Sequence, residues 1–231
     1  MLTWLNPEDE KQAFPALDTA TDEPNGLLAA GGCLSPNRLI NAYRNGIFPW
    51  FSDDQPILWW SPDPRLVLRP SDIHISKSLK KFIRKDLYQC TIDKAFKQVI
   101  KACSGPRLNE DGTWITNSMK QAYQDLHDLG VAHSIEVWQD DKLIGGLYGI
   151  AVGQVFFGES MFSHKSNASK VAFAHLCEKL DQWGYQYIDC QVESEHLISL
   201  GAYEIDREFF KTILDKYCDN SPSQYAWSDL N

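Results

Sequence analysis

The feature that most restricts the fold is a run of three apolar segments separated only by short turns. HSIEVW (133–138), KLIGGLYGIAV (142–152) and QVFFGES (154–160) follow one another, joined by turns that contain Asp-Asp or Gly. Antiparallel strands can be joined by turns this short, whereas parallel strands need a crossover of a dozen residues or more. The segment therefore predicts an antiparallel meander of three strands.

Helical patterns lie before and after this meander, and further strands lie near the C-terminal end. We predict helices over 76–85, 93–103, 117–129 and 168–184, a strand over 185–191, a short helix in SEHLISLG and a last strand around YEIDREFF. Helices, a meander, and then alternating helices and strands are typical of an α+β or a mixed α/β arrangement. We assign the chain to the α+β class.

The first 64 residues differ from the rest in composition, because they are rich in Pro, Gly and Trp. They contain one clear helix, SPNRLINAYRNG, with Ser35 as N-cap, Pro36 in the first turn and Gly46 as the C-terminal stop. Prolines in the flanking segments limit regular structure. We therefore predict a small, irregular N-terminal domain, 1–64, packed on a larger domain, 65–231.

Composition and charge limit the classes of function. The chain has 31 acidic and 22 basic residues, and its net charge of −9 argues against indiscriminate binding to nucleic acid. No apolar run approaches the roughly 20 residues that a membrane helix needs, and we expect no signal peptide. The six cysteines form no CxxC pair, so we expect reduced thiols in a cytoplasmic protein without a structural metal.

The segment HISKSLKKFIRKD places five basic residues on one predicted helix. Their spacings of three, four, seven and eight put them along one stripe, while Leu79, Phe82 and Ile83 fall on another face. The basic stripe consists of Lys77, Lys80, Lys81, Arg84 and Lys85. It is either a solvated helix face or a contact for a phosphate backbone, which supplies affinity without reading sequence.

The segment YQYIDCQ (185–191) ends a predicted strand with an acid and an amide two residues apart. Alternate side chains of a strand share a face, so Asp189 and Gln191 would point one way while Ile188 and Cys190 point into a core. The pair either stabilises the end of the strand or forms a site. In a site, a carboxylate beside an amide can orient an amine and accept its proton.

Glu159 is an acid inside the apolar and aromatic segment FFGESMF. Burying a carboxylate is costly unless it is paired or hydrogen-bonded, so Glu159 either satisfies a structural partner or holds a polar group of a substrate. Trp50 and Trp114 lie in turn-rich stretches, where a ring packs in the core, lines a pocket or stacks on a base. The chain has no P-loop, GxSxG or HExxH motif. The residues alone therefore do not name a reaction.

Specific strings along nearly the whole chain resemble the leucyl/phenylalanyl-tRNA–protein transferase family. GIFPWF, WWSPDPR and GESMFS are the most specific of them. NASK, YIDCQ and SLGAYEIDREFF also match. The resemblance implies a C-terminal domain related in fold to the GCN5-type N-acetyltransferases (GNAT-like), carrying a small N-terminal domain. It also implies transfer of Leu or Phe, and less well Met, from aminoacyl-tRNA to a protein with N-terminal Arg or Lys.

The same resemblance implies a biological setting. The product would be marked for degradation through the N-end rule, in the bacterial cytoplasm, and the reaction would need no cofactor. We expect a monomer that binds Leu-tRNA or Phe-tRNA through the aminoacyl end and the acceptor stem.

By resemblance, Asp189 and Gln191 correspond to the catalytic pair of the family. Gln191 would orient the incoming α-amine, and Asp189 would raise its nucleophilicity directly or through that amide. A ribose hydroxyl of the tRNA could instead relay the proton, and the sequence does not separate these routes. Glu159 would hold the aminoacyl end of the donor. Trp50 and Trp114 would flank the terminal adenosine. Phe156, Met161 and Leu147 would form the apolar pocket that accepts the Leu or Phe side chain. The basic stripe would contact the backbone of the acceptor stem.

Two other functions compete with this interpretation. The first is an acetyl-CoA-dependent acetyltransferase that has kept the fold. Such enzymes bind the pyrophosphate with a glycine-containing loop, and the corresponding segment here, HKSNASK, contains no glycine. The second is an inactive tRNA-binding module, against which the intact Asp189, Gln191 and Glu159 argue.

Overall fold

The computed structural model describes residues 2–105 and 115–228, and its first four strands form a small sheet. The sheet has the order β1-β2-β4-β3, in which β1 and β2 are parallel and the other pairs are antiparallel. Its strands are β1 (Thr3–Leu5), β2 (Leu27–Gly31), β3 (Phe48–Pro49) and β4 (Leu58–Trp60). The predicted helix is confirmed as α1 (Pro36–Arg44), where the Ser35 hydroxyl accepts the Arg38 N–H at 3.3 Å.

The remaining strands form a sheet of seven with the order β11-β5-β10-β9-β8-β7-β6. They are β5 (Arg65–Leu68), β6 (Gln89–Ile92), β7 (Ala132–Gln139), β8 (Lys142–Val152), β9 (Val155–Ser163), β10 (Tyr187–Gln191) and β11 (Tyr203–Ile205). The predicted meander is confirmed by the antiparallel pairs β7–β8 and β8–β9. Since β10 runs parallel to β9, the sheet is mixed and the α+β class is confirmed.

Helices cover both faces of the large sheet. They are α2 (Lys77–Ile83), α3 (Phe96–Cys103), α4 (Asn117–Asp128), α5 (Ala168–Gln182), α6 (Glu195–Ile198) and α7 (Arg207–Tyr217). One apolar cluster joins α3, α4 and α7 to the N-terminal part, and a second joins α5 and α2 to the opposite face of the sheet. Along the described residues, no helix is both long and apolar enough to cross a membrane.

The predicted last strand is wrong beyond Ile205. Asp206 accepts the Phe209 N–H at 2.6 Å and starts a helix there. Phe210, Ile213 and Leu214 then recur at helical spacing and are buried. The strand β11 directly precedes this helix and masks the helical pattern in the sequence.

The connection between the two sheets lies between Trp60 and Arg65. The cluster that contains Trp59 from the small sheet also contains Tyr123 and Phe157 from the rest of the chain. A domain boundary near residue 64 stays a prediction.

Candidate active site

An irregularity in the β8–β9 pairing gives Glu159 its position. Ser160 lies opposite Tyr148 and Gly158 lies opposite Gly149, so the register shifts and Glu159 is the extra residue of β9. A bulge of this kind bends the strand and re-aims a side chain. Glu159 therefore leaves the simple alternation of its strand.

A second register shift lies on β10, which neighbours β9. Asp189 pairs with Val67 and Gln191 pairs with Leu66, which makes Cys190 the extra residue. Gln191 itself adopts a φ of 67°, in the left-handed region that side chains with a Cβ rarely occupy. The strand thus ends in a turned residue, and the amide of Gln191 points toward β9.

The two bulges bring Glu159 into a cluster of hydrogen bonds. The Gln191 Nε2 donates to Glu159 Oε1 at 2.9 Å. The hydroxyls of Tyr43 and Tyr123 donate to Oε1 and Oε2, each at 2.7 Å. Tyr43 comes from α1 and Tyr123 from α4, so three separate parts of the fold hold this one carboxylate with neutral donors.

The environment of Glu159 changes its acidity. Removal from water raises the pKa of the Glu159 carboxyl to about 7, and the hydrogen bonds from Tyr123, Tyr43 and Gln191 oppose that rise. Burial, followed by the Glu159 charge, holds the pKa of both tyrosine hydroxyls well above 10. The tyrosines are therefore neutral donors at physiological pH, whereas Glu159 can change its protonation state.

Asp189 has different partners. It is completely buried, and its two oxygens accept from Arg65 Nε at 2.8 Å and Arg65 Nη2 at 2.7 Å. The Arg65 guanidinium is also buried and lies 4.9 Å from the centre of the Phe48 ring and 4.8 Å from that of Phe210. Charge-assisted bidentate pairs of this kind are strong and geometrically specific.

Asp189 contacts Gln191 through the backbone. The Gln191 N–H donates to Asp189 Oδ1 at 2.9 Å, while the Gln191 side chain contacts Glu159. The structure therefore brings the two predicted residues together, but the Asp189 carboxylate holds the turned backbone of Gln191 rather than its amide group. Sequence reasoning missed Arg65, Tyr43 and Tyr123 altogether.

A cavity of about 1400 Å³ opens beside this cluster. Its lining includes the predicted residues Trp50, Leu147, Phe156, Glu159, Met161 and Gln191. Asp189 is not among the residues that line it. The predicted Trp114 lies outside the described residues.

The cavity continues between two strands that separate. The parallel pairing of β9 with β10 reaches Phe157 and Asp189; beyond these residues β9 pairs with β8 and β10 pairs with β5. The apolar lining residues Phe173 and Leu176 of α5, with Ile188, belong to the cluster on the α5 face. Sequence reasoning missed α5 as a wall of the cavity, although its apolar residues at helical spacing were visible.

Trp50 lies at the exposed end of the cavity. Half of this side chain, 49%, is exposed, and its ring is 5.7 Å from the ring of Trp60. The Trp60 Nε1 donates to the Trp50 carbonyl at 2.7 Å, which fixes the backbone beneath the exposed ring. An exposed, held indole at the mouth of a cavity is a suitable platform for stacking.

All five residues of the basic stripe are exposed. The helix predicted over 76–85 ends at Ile83, so Lys77, Lys80 and Lys81 lie on α2, Arg84 is its C-cap and Lys85 follows in a turn. We expect the other predicted face, with Leu79, Phe82 and Ile83, to anchor the helix to the domain. Leu79 is buried and Phe82 is partly buried against the second cluster, so this expectation is confirmed for these two residues. It is wrong for Ile83, which is 38% exposed because it is the last residue of the helix. Among residues 2–105 and 115–228, no ion pair joins the stripe to an acid.

Comparison with known proteins gives matches over most of the chain. The model of the leucyl/phenylalanyl-tRNA protein transferase family matches residues 67–215, and that of its N-terminal domain matches 32–63. Leucyl/phenylalanyl-tRNA–protein transferase of Ectopseudomonas mendocina is 57% identical over 227 residues, covering 98% of this chain and 99% of that protein. The protein of the same name from Saccharophagus degradans is 56% identical over 221 residues, covering 96% and 90%.

Solved structures show weaker similarity. L-PGS from Bacillus licheniformis has a TM-score of 0.40 and 11% identity, covering 64% of this chain and 48% of that one. A GCN5-related N-acetyltransferase from Kribbella flavida has a TM-score of 0.36 and 10% identity, covering 73% and 60%. The family conclusion rests instead on the family models, which match residues 32–63 and 67–215, and on the relatives from Ectopseudomonas mendocina and Saccharophagus degradans at 57% and 56% identity. The chain belongs to the leucyl/phenylalanyl-tRNA protein transferase family.

Proposed function

We propose that this protein transfers Leu or Phe, and less well Met, from aminoacyl-tRNA to the N-terminal Arg or Lys of an acceptor protein. The product is thereby marked for degradation through the N-end rule, in the bacterial cytoplasm where aminoacyl-tRNA is used. The proposal rests on family membership, and one observation in the structure supports it most. The amide of Gln191 and the carboxylate of Glu159 meet at 2.9 Å on the wall of a largely apolar cavity.

The chemistry required at this wall is modest. The neutral α-amine of the acceptor attacks the ester carbonyl, a C–N bond forms, and the C–O bond to the tRNA ribose breaks. The amine loses one proton and the departing ribose oxygen gains one, so the reaction needs neither ATP nor a metal. An activated ester chiefly needs positioning, with some help in moving the proton.

Gln191 is the residue that orients the amine. Its Nε2 donates to Glu159, which directs its Oε1 away from that carboxylate. An amide oxygen held in this way can accept a hydrogen bond from the incoming α-amine and align its lone pair with the ester. Glu159 then holds the other side of the same amide and faces the aminoacyl end of the donor.

Asp189 acts through the backbone of Gln191 rather than by touching the amine. Both of its oxygens already bind the Arg65 guanidinium, and one also accepts the Gln191 N–H. We therefore replace the direct role of Asp189 as proton acceptor with a positioning role. The free hydroxyl of the tRNA ribose relays the proton. It takes the proton from the amine and passes it to the departing ester oxygen of the same ribose.

The donor occupies the rest of the cavity and the surface of α2. Leu147, Phe156 and Met161 surround the Leu or Phe side chain. A methylene in such a pocket contributes only about 1–3 kcal/mol. Selection against Val and Ile therefore depends on the shape of the pocket at Cβ. Trp50, together with Trp114, stacks on the terminal adenosine. The basic stripe contacts the phosphates of the acceptor stem, and one monomer of the protein supplies all of these contacts.

The decisive experiment follows radiolabelled leucine from Leu-tRNA to a peptide that begins with Arg. The matched control is the same peptide with an acetylated N-terminus, which has no α-amine to attack the ester. We expect label on the free peptide alone. No transfer under any condition would contradict the proposal, and acetylation of the peptide from acetyl-CoA would support an acetyltransferase instead.

A further inference from the structure

The C-terminal segment after α7 folds back against the large sheet. The Ser223 N–H donates to the Trp183 carbonyl at 2.8 Å, and Gln154 Nε2 donates to the Ser221 carbonyl at 3.1 Å. These bonds place Trp227, which has a φ of 60°, against the cluster on the α5 face. A bulky residue in the left-handed region needs surroundings that hold it there.

The Trp227 ring contacts aromatic residues from four parts of the fold. It stacks on His133 of β7 at 3.9 Å with an angle of 8° between the planes. It lies 5.6 Å from Phe156 of β9 and 4.9 Å from Trp183 at the end of α5. Its Nε1 donates to the hydroxyl of Tyr185, just before β10, at 2.7 Å. Trp227 therefore joins elements that wall the cavity.

The His133 ring gives Trp227 a fixed surface. His133 is buried, its Nδ1 lies 2.7 Å from Asp93 Oδ2, and its Nε2 lies 3.2 Å from the Gly130 carbonyl oxygen. Contacts at both ring nitrogens prevent the imidazole from turning. The stacked indole is consequently held on one side by a rigid partner.

The contact with Phe156 is where this segment reaches the cavity. Phe156 lines the cavity and is completely buried. A Cβ placed on Gly149 would lie 2.5 Å from Phe156 Cζ, so the phenyl ring occupies the space that a side chain at Gly149 would fill. The position of the ring thus depends on Gly149 and on Trp227.

We infer that Trp227 is a positioning residue that sets the shape of the aminoacyl pocket by holding Phe156, and so controls the preference between Leu and Phe. This inference rests on the function proposed above, in which Phe156 surrounds the donor side chain. Without the indole, Phe156 can withdraw into the vacated space and the pocket enlarges. The larger pocket still fills with a Phe side chain but packs less closely around Leu.

The test compares Trp227→Ala, Trp227→Phe and Tyr225→Ala for transfer from Leu-tRNA and Phe-tRNA to the same peptide. Tyr225 is in the same segment but is 54% exposed, so its variant is the matched control. We expect Trp227→Ala to lower the ratio of kcat/KM for Leu over Phe about tenfold, the change expected when roughly one methylene of the substrate is no longer packed, chiefly through KM for Leu-tRNA. Trp227→Phe should restore most of the ratio, and Tyr225→Ala should leave it unchanged.

A purely structural role would lower the melting temperature and reduce both donors equally. A Trp227→Ala ratio within twofold of wild type would therefore overturn the inference, as would an equal loss for both donors. If Trp227→Ala does not fold, Trp227→Leu takes its place with the same expected direction. A wild type that transfers neither amino acid would count against the proposed function itself, whereas an active wild type with an unchanged ratio in the variants counts only against the role of Trp227.

Discussion

Two acids in neighbouring strands of the same sheet are held in opposite ways. Asp189 on β10 faces a cation, the buried guanidinium of Arg65, with two charge-assisted bonds. Glu159 on β9 accepts its hydrogen bonds from neutral donors, two tyrosine hydroxyls and the Gln191 amide. The buried ion pair fixes the strand, and the acid with neutral partners responds to pH. A carboxylate in an active site is thus assigned its role by its partners.

The largest effect should come from breaking the ion pair. Asp189→Asn leaves the Arg65 guanidinium buried without its counter-charge, which typically costs about 3–5 kcal/mol of unfolding free energy. Urea unfolding followed by tryptophan fluorescence would measure the loss. The double variant Arg65→Met/Asp189→Leu should recover part of it, because neither charge is then buried. A loss below about 1 kcal/mol for Asp189→Asn, the range of exposed pairs, would mean that this pair is not what holds β10.

The next effect tests the amide. Gln191→Ala removes the group that we propose orients the α-amine, so transfer should fall about 10²-fold with tRNA affinity unchanged. The measurement is single-turnover transfer from Leu-tRNA, with tRNA binding followed separately. Asp189→Ala should give a similar loss, because the Gln191 backbone loses its acceptor. If Asp189→Ala were impaired and Gln191→Ala were fully active, the positioning role assigned to Asp189 would be wrong.

The third prediction concerns Glu159 and pH. Its pKa is raised from 4.5 to about 7 in the folded protein, so the folded state binds more protons than the unfolded state between these values. This contribution to stability is complete below pH 4.5 and is lost as the pH rises through 7. Glu159→Gln keeps an acceptor for the tyrosines but cannot ionise. It should therefore be more stable than wild type above pH 7, by about 1–3 kcal/mol.

The measurement for Glu159 is the difference in unfolding free energy between Glu159→Gln and wild type from pH 5 to pH 8. Taking the difference removes the titration of every group that the two proteins share. A difference that does not change with pH would show that Glu159 is ionised in the folded state throughout this range, as it is in the unfolded state. Asp189→Asn and Glu159→Gln both replace a carboxylate by its amide. At pH 8 the first should lower the unfolding free energy relative to wild type and the second should raise it, which is the sharpest form of the comparison.

The meander and the α+β class can be predicted from the sequence because their signals are local. Apolar segments joined by turns of one to three residues indicate antiparallel pairs without reference to the rest of the chain. The helix α7 escapes prediction because its first turn follows directly on a strand. Asp206, the N-cap that separates the two, lies inside a run that also fits an extended chain.

Sequence reasoning named Asp189, Gln191 and Glu159, but it gave neither their connections nor Arg65, Tyr43 and Tyr123. Alternation alone put Asp189 and Gln191 on one face, yet the register shift at Cys190 and the left-handed Gln191 decide which groups meet. Arg65 lies 124 residues before Asp189, and no local pattern links them. Tyr43 and Tyr123 are apolar-face residues of ordinary amphipathic helices, so their hydroxyls gave no signal until the tertiary structure placed them on Glu159.

The smallest effect belongs to the basic stripe, which lies on α2 and the turn that follows it, outside the network of both acids. Lys80→Ala/Lys81→Ala should weaken tRNA binding and lower the slope of log K against log salt by about 0.9 for each phosphate that is no longer neutralised. Transfer from an aminoacyl-adenosine, which has no acceptor stem, should keep its wild-type rate because the cavity is untouched. Lys97→Ala/Lys101→Ala is the matched control, since it removes two exposed lysines with the same charge from α3 on the opposite face of the sheet. An equal loss of affinity in both double variants would show a response to overall charge, whereas a loss confined to the α2 variant would place the acceptor stem on the stripe.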